Sequence, residues 1–167
     1  MDAKELLLRS LEESHGYLTK ALNGLAQGEA TWSPSPECNS IAFILWHMTR
    51  VEDFFINRVI QREKELYEAQ KWQEKLGTPT KAYQYTVEEL QAWPAPKLEI
   101  LREYANSVQE NTLAFLNSIT PERLSEVPRP DRSPDSIGVT LEHLMTEIAL
   151  HVGQIAYLRG VQRGLDK

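Results

Sequence analysis

The sequence predicts an all-α fold: a single domain, residues 1–167, built as a four-helix bundle running up-down-down-up with a long helical crossover between its second and third helices. Three observations carry this prediction. Four long segments place apolar residues at spacings of three, four or seven, which line one face of a helix. No run alternates with period two for long enough to make a strand, and no unit of 20 to 50 residues repeats. The prolines fall between the segments rather than within them.

Helix one is expected from Asp2 to about Leu25, with Leu7, Leu11, Leu18, Leu22 and Leu25 on one face and Gly24 and Gly28 closing it. The stretch Thr31 to Glu37 contains Pro34 and Pro36 and reads as a loop, after which Asn39 or Ser40 can cap helix two. That helix carries Ile41, Ile44, Leu45, Met48, Val51, Phe55 and Val59 at helical period and runs to about Arg62. The charged segment Glu63 to Lys75 reads as a solvated helix, Gly77 to Thr80 breaks it, and Thr86-Val87-Glu88-Glu89 is a capping box that starts a short helix. Trp93-Pro94-Ala95-Pro96 breaks the chain again, so residues 61–96 form the crossover. Helix three is expected over Lys97 to Ile119, with a further turn opened by Pro121. A Pro-rich loop, Val127 to Gly138, precedes helix four, whose expected cap is Thr140 and whose seam is Leu141, Leu144, Ile148, His151, Ile155 and Leu158. Short connections make helices one and two, and three and four, antiparallel, while the crossover lets helices two and three run parallel.

A chain of 167 residues can bury a core without covalent staples, and its single cysteine, Cys38, has no intrachain partner. A thiolate-rich zinc site is thereby excluded, so any metal must rely on histidine and carboxylate. The N-terminus lacks a secretion pattern, and the longest strictly apolar run, Ile41 to Trp46, is far short of the roughly 20 residues that span a bilayer. The expectation is a cytoplasmic protein without a membrane partner. With a net charge of -6 and basic residues scattered among acids, a nucleic-acid partner is not expected either.

Polar residues on a bundle's inner face need a partner, because an unpaired buried charge or imidazole costs several kcal/mol. His151 interrupts the seam of helix four, Glu147 lies one turn before it, and His47 lies between Trp46 and Met48 on helix two. A carboxylate and an imidazole four residues apart on one helix can share a metal that a ligand from a neighbouring helix completes. The same spacing also suits a helical salt bridge beside a core histidine. In an up-down-down-up bundle His47 and His151 differ in height by about 8 Å, which allows the convergence. His15 and His143 are read as structural or supporting groups, with His143 the better spare ligand. Arg50, Glu52 and Asp53 read as a solvated charged face, with support of the site as the other possibility, and the four tryptophans as packing or interface residues. A di-iron carboxylate site needs two Glu-x-x-His motifs and two further glutamates, and only Glu12 to His15 fits. His-Glu-x-x-His, Gly-x-Ser-x-Gly and phosphate-cradling Gly-rich motifs are all missing from the sequence.

Two stretches together resemble a known family: Asn39-Ser40-Ile41-Ala42-Phe43-Ile44-Leu45-Trp46-His47-Met48 with Arg50-Val51-Glu52-Asp53, and Glu147-x-x-x-His151-Val152-Gly153-Gln154-Ile155. The chain is similar over nearly its whole length to the DinB-like, or YfiT-like, metalloenzymes, which are helical bundles. Most members place three histidines on the metal, whereas Glu147 stands here where the middle histidine usually falls. In this the chain resembles the bundle domain of the mycothiol-dependent maleylpyruvate isomerases, which uses two histidines and a glutamate. The resemblance implies that His47, Glu147 and His151 hold the metal, that a low-molecular-weight thiol is a cofactor, and that the chain forms a homodimer through a helix face.

Three protein ligands leave a zinc or nickel ion an open position, as in catalytic sites. Bound water becomes a hydroxide near neutral pH, and a bound thiol is held as thiolate. The expected function is therefore a divalent-metal-dependent enzyme, a thiol-dependent transferase or a hydrolase acting on a small molecule. The competing expectation is a non-enzymatic dimeric bundle, metal-binding or metal-free, serving as a stress-related scaffold or small-molecule sensor, because the sequence offers no identifiable general base.

Overall fold

The computed structural model describes residues 1–164, and no strand occurs among them. Helix α1, Ala3–Leu22, begins at a capping box in which the Asp2 carboxylate accepts from the Glu5 amide at 2.8 Å and Glu5 accepts from the Asp2 amide at 2.9 Å. Leu11, His15, Leu18 and Leu22 form its buried face. The chain then turns at Gly24, whose φ of +61° suits glycine, and forms a short helix that the sequence reading lacked, α2, Gln27–Thr31. Gly28 sits inside α2 rather than ending a helix, because Glu29 accepts from the Ala26 amide at 2.8 Å and stabilises the first turn.

Helix α3, Ile41–Asp53, starts where expected, with Ser40 Oγ accepting from the Phe43 amide at 3.2 Å. It continues without a break into a wider π-helical segment, Phe54–Gln61, and ends at Arg62, where φ is +61°. The expected apolar stripe holds through Met48 and then fails. Val51, Phe55 and Val59 are only partly buried, whereas Glu52, Asp53, Ile56, Asn57 and Ile60 are buried. Asp53 explains the shift: its carboxylate accepts from the amides of Leu66 and Tyr67, from Tyr104 Oη and from Asn57 Nδ2, each at 2.8 Å. A carboxylate with four donors is stable in the core, so a polar residue takes an inward position.

Those bonds also overturn the solvated helix expected over 63–75. The segment folds as two short helices, α4, Leu66–Ala69, and α5, Trp72–Leu76, which bury Tyr67, Trp72 and Leu76. Helix α6, Val87–Gln91, begins at the expected Thr86–Glu89 capping box. Helix α7, Leu98–Ser118, buries Leu101, Tyr104, Ala105, Val108, Phe115 and Leu116, close to the predicted face. Pro121 opens a short 3₁₀ turn, Pro121–Ser125, as expected. Helix α8, Ile137–Arg163, begins one turn earlier than predicted: Ser136 Oγ is the cap, accepting from the Val139 amide at 3.3 Å, and Thr140 lies inside the helix with its hydroxyl on the Ser136 carbonyl at 2.9 Å.

Helix α1 packs on α7 and α8, and α3 packs on the same two helices. Their shared core includes Leu11, Leu45, Trp46, Leu101, Tyr104, Leu116, Leu141, Leu144 and Ile155. Each large side chain removed from water there contributes about 1.5–3 kcal/mol. No helix among the described residues is long and apolar enough to cross a membrane.

Candidate metal centre

His47 projects from the edge of α3, where the chain leaves the aromatic core formed by Phe43, Trp46, Tyr85 and Trp93. Glu147 and His151 lie one turn apart on the adjoining face of α8. All three are half-buried. The rings of His47 and His151 meet edge to face, with centroids 4.9 Å apart at 89°, and His151 Nε2 is 3.5 Å from Glu147 Oε2. Helical rise alone leaves the two histidines about 8 Å apart in height; the structure brings their imidazoles into contact.

The crossover sets the orientation of the first imidazole. His47 Nδ1 lies 2.5 Å from the Ala82 carbonyl, which can only accept, so Nδ1 carries the proton and the neutral ring keeps its lone pair on Nε2. Burial is the largest influence on His47 and holds its pKa below the ordinary value. The Ala82 bond and Glu147 oppose that shift, and His151 adds to it. On α8, His151 Nδ1 lies 2.9 Å from Gln154 Oε1, while its Nε2 is buried and has no hydrogen-bond partner. With that amide orientation, the Nε2 atom of each neutral ring is an acceptor, and a carboxylate stands beside one of them. Glu147 Oε2 and the unpartnered His151 Nε2, 3.5 Å apart, are both acceptors, and such a pair favours a proton or a cation between them.

No group of three or more His, Cys, Asp or Glu among the described residues is drawn together as a complete metal-holding cluster. The close arrangement consists of the two imidazoles and the Glu147–His151 pair.

A cleft of about 580 Å³ opens on His47 and Glu147. Residues 80–84 of the crossover form one wall, and Val51, Phe54, Phe55 and His143 form much of the rest. His143 is exposed, with its ring centroid 5.5 Å from that of Phe55, at the cleft wall rather than against His151. His15 points elsewhere, to a buried pair with Glu52 at 3.7 Å. The solvated face expected for Arg50, Glu52 and Asp53 is overturned, since all three are buried. Arg50 supports the cleft wall: it binds Glu65 at 2.6 Å and the Thr80 carbonyl at 3.1 Å, and it stacks on Tyr67 at 3.7 Å. Only the preference of Arg for planar, bidentate partners could have marked it in the sequence. Cys38 is exposed and is not among the residues lining the cleft. Trp46, Trp72 and Trp93 are packing residues, as expected, while Trp32 is exposed.

Residues 10–155, which contain both ends of this arrangement, match the DinB superfamily. The chain belongs to the DinB superfamily. It is also similar to a solved structure described as the conserved protein of a locus from Enterococcus faecalis, with 26% identity, coverage of 99% of each chain and a TM-score of 0.83. No curated protein matches the chain. In this member of the superfamily Glu147 is the carboxylate beside His151.

Proposed function

We propose that the chain is a divalent-metal-dependent enzyme of the DinB superfamily, a thiol-dependent transferase or hydrolase acting on a small molecule, with His47, Glu147 and His151 as the metal ligands. One observation carries the reading: both imidazoles direct Nδ1 to an oxygen, and the buried Nε2 of His151 has no partner but lies 3.5 Å from Glu147 Oε2. Metal-bound histidines are held in this way, with the second nitrogen fixed by a carbonyl or amide oxygen. Two imidazoles and a carboxylate suit zinc or nickel and leave an open position, where the ion supplies an activated hydroxide or a thiolate. The chain's own residues then have defined tasks. Ala82 fixes the His47 ring, Gln154 fixes the His151 ring, and Phe54 and Phe55 give the cleft an apolar wall. The proposal includes an up-down-down-up course for α1, α3, α7 and α8, a low-molecular-weight thiol as cofactor, a homodimer and a cytoplasmic setting, in which the exposed thiol of Cys38 stays reduced.

Elemental analysis of protein purified without a His-tag tests the ligand set. About one zinc or nickel per chain is expected in the wild type, with a loss of at least about tenfold in His47→Ala and His151→Ala. Metal at wild-type stoichiometry in both variants would sink the assignment. Turnover in a thiol-conjugation or hydrolysis assay separates enzyme from scaffold.

A second reading is a non-enzymatic dimeric bundle, a scaffold or small-molecule sensor, in which a protonated His151 pairs with Glu147. The 3.5 Å separation suits an ion pair, and no complete three-ligand cluster is present among the described residues. Metal-free protein with unchanged thermal stability on zinc or nickel addition favours that reading.

A further inference from the structure

Four of the ten arginines in a chain of net charge -6, Arg58, Arg62, Arg129 and Arg132, line one cleft of about 360 Å³. Asp131 is the carboxylate lining the same cleft, and its contact with Arg132 at 3.7 Å is between two largely exposed side chains. Among the described residues the other three arginines make no ion pair. Like charges so gathered repel one another, and an exposed pair such as Arg132–Asp131 offsets little of it.

The backbone holds one of the four guanidiniums and fixes the loop that carries two others. The guanidinium of Arg62 donates to the Pro128 carbonyl, and the Arg129 carbonyl accepts from the amides of Arg132 and Ser133, each at 2.9 Å. Arg58 comes from the π-helical segment, four residues beyond Phe54 and four before Arg62. Arginine forks arranged around a small hollow match the planar or tetrahedral oxygens of carboxylate and phosphate.

The cleft is not isolated from the candidate metal centre. A second hollow of about 290 Å³ is lined by Arg58, Arg129 and Arg132 together with Phe54, Phe55, Val59 and Pro128. Phe54 and Phe55 in turn line the cleft that contains His47 and Glu147. Asp135 also lines the second hollow, with its carboxylate taken by Ser133 Oγ at 2.7 Å. Phe54 and Phe55 thus border both the cleft of the candidate metal residues and the hollow that the arginines line.

We propose that this arginine cluster recognises an oxyanion, a carboxylate or phosphate, at the far end of an elongated substrate whose middle lies on Phe54 and Phe55 and whose reacting group lies at His47 and Glu147. The inference rests on reading those residues as the reactive centre. The anion site itself does not depend on a metal, and this makes the two assignments separable.

Amide NMR shifts of the full chain in EDTA, titrated with phenyl phosphate, 4-phenylbutyrate, benzyl alcohol and inorganic phosphate, test it. At least one aromatic anion is expected to saturate below about 10 mM and to shift residues 54–62 and 128–135, with benzyl alcohol at least about tenfold weaker. A preference for phenyl phosphate identifies a phosphoryl group, and a preference for 4-phenylbutyrate a carboxylate. Inorganic phosphate is expected to shift the arginine end alone. The double variant Arg58→Ala, Arg132→Ala, both at exposed positions, should weaken the anion by at least about tenfold, and Arg123→Ala should leave it unchanged. Retention of the shifts in His151→Ala is expected, so failure of the metal assignment and failure of the anion site give different results. The proposal is overturned if neither aromatic anion saturates, if benzyl alcohol binds as tightly, if the double variant binds like wild type, or if the shifts never reach Phe54 and Phe55.

Discussion

Asp53 is fully shielded from solvent and no cation is paired with it among the described residues, yet four donors reach its carboxylate. One donor is Tyr104 Oη, whose pKa burial and the adjacent Asp53 charge push well above its ordinary value, so the phenol keeps its proton. The two backbone donors belong to Leu66 and Tyr67, and this single side chain thereby fastens the start of the crossover to α3. Asp53→Asn would set an amide NH₂ against some of those donors and leave others without a charged acceptor. The expected loss is about 3 kcal/mol of stability, read as a lower urea midpoint with an unchanged slope. A loss below about 0.5 kcal/mol would mean that the four bonds contribute little. None of this was legible in the sequence, where Glu52 and Asp53 look like any acidic pair on a helix. Whether a carboxylate faces solvent or core depends on donors 13, 14 and 51 residues away in the chain.

At the scale of elements, what could be read was local. The cap of α3 and the Thr86–Glu89 box follow from side chains within a few residues of each other, and these expectations hold. The ends of α7 also fall where expected, although the side chain that accepts from the Leu98 amide, Gln27, lies 71 residues away. The elements α2, α4 and α5 span only four or five residues each and have little independent stability, so tertiary partners decide them. Of the candidate site, His47, Glu147 and His151 were visible as polar interruptions of apolar faces, but the crossover wall at Thr80–Gln84 was not, because its role lies in a backbone carbonyl. The same dependence on distant partners governs α2. Glu29 accepts both Arg163 Nε and Nη2 at 2.6 Å and lies 3.3 Å from Arg159, which fastens α2 to the last turns of α8. The Arg163 bonds, then the Ala26 amide, lower the Glu29 pKa from 4.5 to about 2. A carboxyl depressed by folding adds stability above its unfolded value and loses it as pH falls toward its folded one. Glu29→Gln should therefore melt below the wild type at pH 7, and the gap should close between pH 4.5 and about 2. A gap independent of pH in differential scanning calorimetry would show that packing, not charge, joins the two helices.

Over the whole molecule, the long helices bury their inner faces against one another, but α8 keeps a second apolar surface outside. Leu150, Tyr157 and Val161 are 58%, 72% and 50% exposed and fall seven and four residues apart, on one side of the helix. Tyr17 on α1, 54% exposed, borders the same region, where Gly153, Ala156 and Gly160 help line a groove of about 890 Å³ between α1 and α8. An apolar side opposite an already buried one needs a cover, and a two-fold pairing can supply it because the same patch serves both copies. A stable pair must bury about 800 Å² on each partner, and large side chains over a floor of small ones give the relief that close packing needs. The proposed homodimer therefore predicts that Tyr157→Glu sediments as a monomer under conditions where the wild type is dimeric, with its helical content unchanged. Glu147 and His151 lie on the side of α8 that meets His47 of α3, so metal content per chain should survive the substitution. If Tyr157→Glu remains dimeric in analytical ultracentrifugation, the pairing uses another face, and if the wild type is monomeric at tens of micromolar, the exposed stripe on α8 serves something other than self-association.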